Sequence, residues 1–544
     1  MRDASFVITV FRKVRSAGRL LGASLRKLYH AILRARYQRK ARNLFVSSWP
    51  DEPSSVVVFC PSGFDGAFGH YAVIAKALNA RNVATIFVQA PFFIQRRHDD
   101  RFSQFENSIV RRSRNEYHSH SRGERDLRFS WTIDLNRGLF VAIGLNFWPA
   151  VLGMLRRDFK RYDIDFSDQH VIRTIEALLV SADCALGVCV DLYERFSRKG
   201  TSIRILAAEL NYVPGGIFNI FCNEMGGRLN MEFVDYGPAY SSYFTGEMAL
   251  GSSYACMNLT RNGLHTRFEP VPARFAEWLA NGQDGVSARR KMMEVIRLNR
   301  LSVNGTEEKT AIIDRLKIHR KAGGKVTCIF GHMSFDLAGP NDCGPAHSDM
   351  KEWIQNSLDT LQTKDDVLVL IKPHIGEVRH KENQKPNQML KDMLPDKLSK
   401  NVILLKADTF NAHELYEYID LGLVWRSSVA LELMILGIPT IVACEEAYYW
   451  KTMFDYMITP TDRENYRALL TGSSTLQVPP EAGNVAALLL KYIATQTFIE
   501  MPYTEKKRFL GRRQPVTWNT KSLRKFLSDG DPSVERVCDE ILSR

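Results

Sequence analysis

Val367-Leu368-Val369-Leu370-Ile371 runs straight into Lys372-Pro373-His374-Ile375-Gly376-Glu377, and the reading of that junction decides the fold. After an Asn/Gln/Lys-rich segment comes a second apolar run, Val402-Ile403-Leu404-Leu405. A helical stretch over 412–418 leads to a third run, Leu421-Gly422-Leu423-Val424-Trp425. Ser427-Ser428-Val429-Ala430-Leu431-Glu432 follows, and Gly437-Ile438-Pro439-Thr440-Ile441-Val442 closes the unit. Short β-rich runs alternating with helical segments are βαβ units of a parallel sheet. In such sheets ligands bind beyond the carboxyl ends of the strands. His374 and the Ser427/Ser428 pair each stand just past a predicted strand. A helix beginning near Ser428 presents free backbone N–H groups and the positive end of its dipole, which suits a phosphate. The serines add hydroxyl donors, and His374 adds one more hydrogen bond or a positive charge. The plainer reading of the same residues is a structural histidine, a serine N-cap and a surface acid at Glu432.

At 544 residues the chain is long enough for two or more large domains. Its composition, 45% hydrophobic and 24% charged, is that of a globular protein rather than a disordered one. Nine cysteines occur with no C-x-x-C pair, which excludes common zinc-ribbon and thioredoxin patterns and fits a reducing compartment. No uncharged apolar run reaches the length of a membrane span, and the amino terminus lacks the pattern of a secretory signal. The net charge of +13 is concentrated: residues 1–45 hold twelve Lys/Arg against Asp3 alone, a net +11. Within that arm Leu21, Leu25, Leu28 and Ile32 form one helical stripe. A basic amphipathic helix suits an anionic membrane surface; a helix packed on the body and a nucleic-acid arm are the alternatives. No basic stripe continues into the body, so no nucleic-acid partner is expected.

A first α/β domain opens at 54, with the strand Val56-Val57-Val58-Phe59 and a glycine-punctuated loop, Pro61-Ser62-Gly63-Phe64-Asp65-Gly66-Ala67-Phe68-Gly69-His70. That spacing departs from the dinucleotide fingerprint, and a plain tight βα turn accounts for it as well as a substrate loop does. Residues 94–128 are polar and rich in Arg, Ser and His, either a lid for an anionic acceptor or a solvated insertion. The uncharged run 139–155 reads as a core helix pair, with a shallow membrane-dipping patch as the sharper alternative. Asp163-Ile164-Asp165 matches a metal-binding D-x-D pattern, but nothing places it at a strand end. A predicted strand over 203–208 ends at Glu209, a carboxylate beside glycines and a general-base candidate. Capping or surface pairing is the alternative. Residues 281–322 read as a helical connector, 323–500 as the second α/β domain and 501–544 as a tail.

Two motifs in order resemble capsular-polysaccharide synthesis proteins and related bacterial Kdo- and sialyltransferases of the GT-B class. They are Lys372-Pro373-His374-Ile375-Gly376-Glu377, and Ser427-Ser428-Val429-Ala430-Leu431-Glu432 before Gly437-Ile438-Pro439. The resemblance covers about 325–461; over the first domain it is architectural only. Ile375 stands where the family has proline, and the family's paired-acid motif is matched only in part, by Asp65-Gly66.

What the resemblance implies is an α/β GT-B fold, two doubly wound Rossmann-like domains facing a cleft, with acceptor on 50–280 and donor on 323–500. It places His374, Ser427 and Ser428 on the donor phosphate, with Lys372 beside them. Glu432, one turn further on, would accept ribose hydroxyls. The resemblance does not name the base, for which Glu209, past its predicted strand, and Asp65, in the partial acid match, are the candidates.

The expected activity is glycosyl transfer from a nucleotide sugar, a CMP-activated acidic sugar first, to a surface polysaccharide or glycolipid. Neither metal nor cofactor is required, and the arm holds the enzyme on the inner face of the membrane in the cytoplasm. A nucleotide-sugar 2-epimerase or glycerophosphotransferase on the same scaffold, and a non-catalytic membrane scaffold, are the rivals.

Overall fold

The computed structural model describes most of the chain between 55 and 542. Residues 1–52, 61–66, 90–115, 119–126, 208–211, 240–254, 262–271, 300–306, 334–342, 380–389, 494–498 and some shorter runs lie outside the described residues. The basic arm, most of 94–128, Asp65 and Glu209 are therefore not described.

In chain order, β1 (Ser55–Cys60), α1 (Ala67–Ala80), β2 (Ala84–Gln89) and β3 (Glu116–His118) open the first unit. A small antiparallel sheet follows, β4 (Thr132–Asp134), β5 (Leu139–Ala142) and β6 (Leu145–Asn146). Then come α2 (Trp148–Phe159), α3 (Gln169–Arg195), β7 (Ser202–Ala207), α4 (Gly215–Leu229), β8 (Met231–Ala239) and β9 (Ala255–Arg261). β3, β2, β1, β7 and β8 are parallel neighbours, and β9 lies antiparallel on β8. Val56, Val58, Ile203 and Ile205 join Ala182, Leu186 and Phe218 of the helices in one buried cluster.

The second unit comprises α5 (Gly285–Asn299), α6 (Glu307–Lys321), β10 (Lys325–Phe330), α7 (Met350–Leu361), β11 (Val367–Lys372), β12 (Val402–Leu404) and α8 (Ala412–Leu415). It continues with β13 (Leu421–Val424), α9 (Val429–Leu436), β14 (Thr440–Val442), α10 (Arg463–Thr471) and α11 (Ala482–Tyr492). Its five strands are all parallel, in the order β12-β11-β10-β13-β14. Strand alternation sorts the side chains into two layers. Ile329, Val369, Ile371, Leu423 and Trp425 pack with Trp353 and Tyr466 on one face. Cys328, Phe330, Leu370 and Val424 pack with Leu431, Leu433 and Leu489 on the other. The protein is thus α/β with two doubly wound Rossmann-like units, the architecture expected of a GT-B chain.

Two glycines let elements close on this sheet. A Cβ on Gly422 would stand 2.4 Å from Leu433 Cδ1, so the glycine lets α9 settle on β13. A Cβ on Gly344 would stand 1.7 Å from the Ala443 carbonyl oxygen, where the 343–347 loop lies against the end of β14. Gly344→Ala should therefore cost about 3 kcal/mol, at the upper end of overpacking effects. Chemical denaturation checks this, and a wild-type midpoint would show that the loop moves aside freely.

Three segments differ from their sequence reading. Residues 139–155 are not a helix pair but the β5–β6 hairpin followed by α2. Ile143 and Gly144 both take positive φ, 47° and 82°, which makes a tight two-residue turn; Gly138, at φ 65°, turns the chain into β5. The connector 281–322 is helical but belongs to the second unit: α5 packs on α9 and α11, and Arg289 Nε donates to the Ile435 carbonyl at 2.7 Å. The tail is also built into the fold. β15 (Ile499–Met501) adds antiparallel to β9 in the first sheet. A hairpin of β16 (Thr504–Phe509) and β17 (Arg512–Trp518) and two helices, α12 (Thr520–Asp529) and α13 (Pro532–Leu542), follow. α13 packs on α1, with Arg81 paired to Glu535 and, at 2.7 Å, to Asp539. Among the described residues no helix is long and apolar enough to cross a membrane.

Candidate functional site

From β10 the chain lays β11 and β12 outward on one side, then crosses back to lay β13 and β14 on the other. The switch point lies between β10 and β13, where a ligand is expected outside the carboxyl ends. The residues that leave those ends are Gly331-His332 after β10, Pro373-His374 after β11 and Trp425-Arg426-Ser427-Ser428 after β13.

Register places the first two pairs side by side. Phe330 is opposite Lys372 in the parallel ladder, so His332 and His374 stand two residues beyond a matched pair. Their rings meet edge to face with centroids 6.3 Å apart. His374 Nδ1 accepts a hydrogen bond from the Gly376 N–H at 3.0 Å. That bond selects the tautomer with the hydrogen on Nε2, so the neutral ring is a donor. By strand alternation Lys372 belongs to the face that carries Cys328, Phe330, Leu370 and Val424, the face on which α9 packs, while His332, His374 and Arg426 follow the ends of three adjacent strands.

Ser428 is the residue preceding α9, but its side chain makes no capping bond. Ser427 Oγ accepts only a long contact from the Val429 N–H, 3.4 Å, while Tyr449 Oη donates to the Ser427 carbonyl at 2.8 Å and fixes the turn. The plain N-cap reading of the serines is thus not what the structure has. Among the described residues neither serine hydroxyl donates a hydrogen bond, and both stand at the positive end of α9.

Two of the expected donor contacts are turned inward. Lys372 is buried, and its ammonium donates to the carbonyls of Pro373 at 2.8 Å and Ala407 at 2.9 Å. It ties the loop after β11 to the loop after β12 and acts on the site through the backbone. Burial pulls it down to about 8, against opposing pulls from Cys328 and Glu377. Burial likewise pushes Glu377 up to about 7, opposed by Lys372 and by backbone hydrogen bonds at His374 and Leu390. Glu432 is also buried: Tyr416 Oη donates to Oε2 at 2.5 Å, and His413 Nε2 lies 3.1 Å from the same oxygen, out of line for a hydrogen bond. This carboxylate braces α9 against α8. The reason is burial, since an apolar layer admits a carboxylate only with such partners.

Lys372→Met should leave two buried carbonyls without a donor, at about 1–3 kcal/mol, and should strip Glu377 of its counter-charge. The second cost depends on pH. Glu377 has a folded pKa above the ordinary carboxylate value, so the folded protein keeps its proton up to about pH 7. Its favourable linkage is complete below the ordinary value and is lost as pH rises through about 7. The drop in melting temperature should therefore be larger at pH 8 than at pH 6. Equal drops would show that Lys372 and Glu377 are not coupled.

His332 and Arg426 were not picked out by sequence reasoning. Each had a visible signal, a basic residue just beyond an apolar run, but nothing in the sequence showed that these strands flank the switch point. The D-x-D pattern has a different role. Asp163 pairs with Lys351 of α7 at 2.6 Å, and Asp165 accepts from the backbone and hydroxyl of Ser167 at 2.9 and 2.6 Å. The two carboxylates serve separate structural partners. Asp65 and Glu209 lie outside the described residues, five and two positions beyond β1 and β7. Those two strands are neighbours and flank the first sheet's own switch point.

No protein-family model matches the chain, and no match is found among curated protein sequences. Solved structures overlay on it only partly. A Thermosulfurimonas dismutans KpsC, beta Kdo 2,7 transferase, is 13% identical with a TM-score of 0.30, over 64% of this chain and 88% of that one. The Methanocaldococcus jannaschii UDP-GlcNAc 2-epimerase, solved with UDP-GlcNAc and UDP, is 10% identical with a TM-score of 0.26, over 81% and 99%. The spinosyn rhamnosyltransferase SpnG is 12% identical with a TM-score of 0.23, over 81% and 96%. The architecture of this chain stands instead on its own strand orders and register.

Proposed function

We propose that this protein is a GT-B-type glycosyltransferase whose second unit binds a nucleotide-sugar donor and whose first unit presents the acceptor. The observation that carries this reading is the cluster at the second switch point. His332, His374 and Arg426 follow the carboxyl ends of three adjacent strands there, the two histidine rings in contact, with the two serines at the start of α9. In glycosyl transfer the nucleotide phosphate gains negative charge as the glycosidic bond breaks. Donors fixed in place before the reaction stabilise that charge without reorganising. His374 Nε2–H, the serine hydroxyls and the α9 dipole are such donors.

The acceptor hydroxyl must lose a proton, and Glu209, two residues beyond β7, is the proposed base, with Asp65 the alternative. The positive field comes from the protein itself, so turnover should survive a chelator. The donor of first choice is a CMP-activated acidic sugar, and the acceptor a surface polysaccharide or glycolipid.

A thermal-shift panel of CMP, UDP, GDP and their sugars tests the donor site. Mass spectrometry of products then separates transfer from its rivals: an epimer formed without acceptor would favour a 2-epimerase, and a phosphodiester-linked product a glycerophosphotransferase. Absence of any nucleotide binding would favour a scaffold.

The +11 arm is proposed to hold the enzyme on the anionic inner leaflet, where each basic residue contributes about 1 kcal/mol. Deleting residues 1–45 should then abolish co-sedimentation with acidic vesicles and leave transfer to a soluble acceptor largely intact. A truncated protein that melts lower and loses soluble activity would show instead that the arm packs on the body.

A further inference from the structure

Residues 506–528 hold eight Lys/Arg and no Asp or Glu, a net +8. Taking this and the arm's +11 from the total of +13 leaves the rest of the chain at −6, so positive charge is confined to two segments. The second segment is built into the fold. Among the described residues β16 and β17 pair only with each other, as a ribbon outside the larger sheets. Their register sets Arg508 opposite Arg513, with Lys506 opposite Val516 and Phe509 opposite Arg512. Like charges directly opposite one another are destabilising, and the ribbon's one acid, Glu505, stands opposite Thr517 instead. An anion between the arginine positions would relieve that pairing. The turn joining the strands reads Phe509-Leu510-Gly511, apolar residues flanked by Arg508 and Arg512. The ribbon is fastened at its base. The Asn519 N–H donates to the Tyr503 carbonyl at 2.8 Å, and the buried Tyr503 ring meets Phe526 of α12 edge to face at 5.6 Å. Tyr503 Oη also donates to Asp531. α12 turns Leu523 and Phe526 inward and leaves Lys521, Arg524 and Lys525 exposed along one face.

We infer that the β16–β17 ribbon and α12 form a docking surface for an anionic phospholipid bilayer, with the cations on the lipid phosphates and the turn at the headgroup boundary. Charge complementarity selects an anionic partner. The apolar turn selects a bilayer over a soluble polyanion, because such residues gain by leaving water only where acyl chains lie beneath the charge. The contact is additional to the arm and rests on the arm's membrane reading for the remaining affinity. Two linked contacts bind far more tightly than either alone, so losing either should weaken the whole.

Titration of the full-length protein with mixed phosphatidylglycerol and phosphatidylcholine vesicles tests it, with phosphatidylcholine alone as the control. Each basic residue near an anionic surface contributes about fivefold in affinity. The double variant Lys506→Gln/Arg508→Gln should therefore bind the mixed vesicles at least about tenfold more weakly. Its melting temperature should equal or exceed that of the wild type, because the like-charge pair is gone; a purely structural role would lower it. Lys521→Gln/Lys525→Gln, on the exposed face of α12, should lose a similar factor, and it keeps the test open if the ribbon variant melts early. Phe509→Ser should weaken the binding that survives at high salt, where charge is screened. Folded variants of both elements that bind like the wild type would overturn the inference. So would a soluble polyanion, DNA or dextran sulfate, bound as tightly as vesicles with Phe509→Ser without effect, since the surface would then serve a charged chain. Binding that depends on the ribbon but survives deletion of residues 1–45 would overturn the arm reading and support this one. Wild-type protein that ignores the mixed vesicles would overturn both.

Discussion

Replacing His374 with alanine should lower donor turnover by about a hundredfold or more, the usual cost of losing one fixed donor to a developing anion. The melting temperature should stay close to that of the wild type. His374 follows β11 at the carboxyl edge of the sheet and is not part of either hydrophobic layer. Its Nδ1 is occupied by the Gly376 N–H, so the contribution this variant tests is that of the Nε2 hydrogen. His374→Gln offers a check, because an amide can supply a donor from a similar position and should recover part of the loss, whereas alanine cannot. Steady-state kinetics with soluble acceptor, read beside melting curves, decide the matter. A folded His374→Ala protein with unchanged kcat and KM would remove this residue from the site and with it the main support for the donor reading.

The second large effect is expected at Glu209. If its carboxylate takes the acceptor proton, Glu209→Gln should reduce kcat by about 10²- to 10⁴-fold and leave donor affinity nearly constant. The glutamine keeps the shape and loses only the base. The split matters, because a merely structural carboxylate would move stability and donor affinity together with rate. The topology lends weight to this position: β7, which Glu209 follows in the sequence, is the neighbour of β1, and the two strands flank the first switch point. The same argument applies to Asp65, which the chain delivers from β1. Full turnover in Glu209→Gln together with a large loss in Asp65→Asn would therefore exchange their roles without changing the mechanism.

The positions with a strong local signature agree between sequence and structure. The apolar runs that open at Val367, Val402 and Leu421 are strands, and the residues just beyond two of them, His374 and Ser427, stand at the carboxyl edge. A buried parallel strand needs a continuous β-branched and aliphatic run, so its identity and its end are written locally. The charged segment 281–322 was legible as helix for a similar reason. Its docking on α9 and α11 was not, because the partners lie more than a hundred residues away. The run 139–155 misled because uniform apolarity has no period; only the positive φ of Ile143 and Gly144 makes it a hairpin.

By itself, then, the sequence determined the class of fold, the number of units and the strand ends at which chemistry is expected, since these follow from periodicity within short windows. The tertiary structure decided which strand ends are neighbours and which way each side chain faces. It brought His332 beside His374 and set Arg426 beyond the next strand, and it turned Lys372 onto two carbonyls and Glu432 onto Tyr416. It also returned the last 45 or so residues to the first sheet, through β15 and α13. Strand order and helix docking are set by burial between segments far apart in the chain. No local pattern records a contact that exists only after both surfaces have left water.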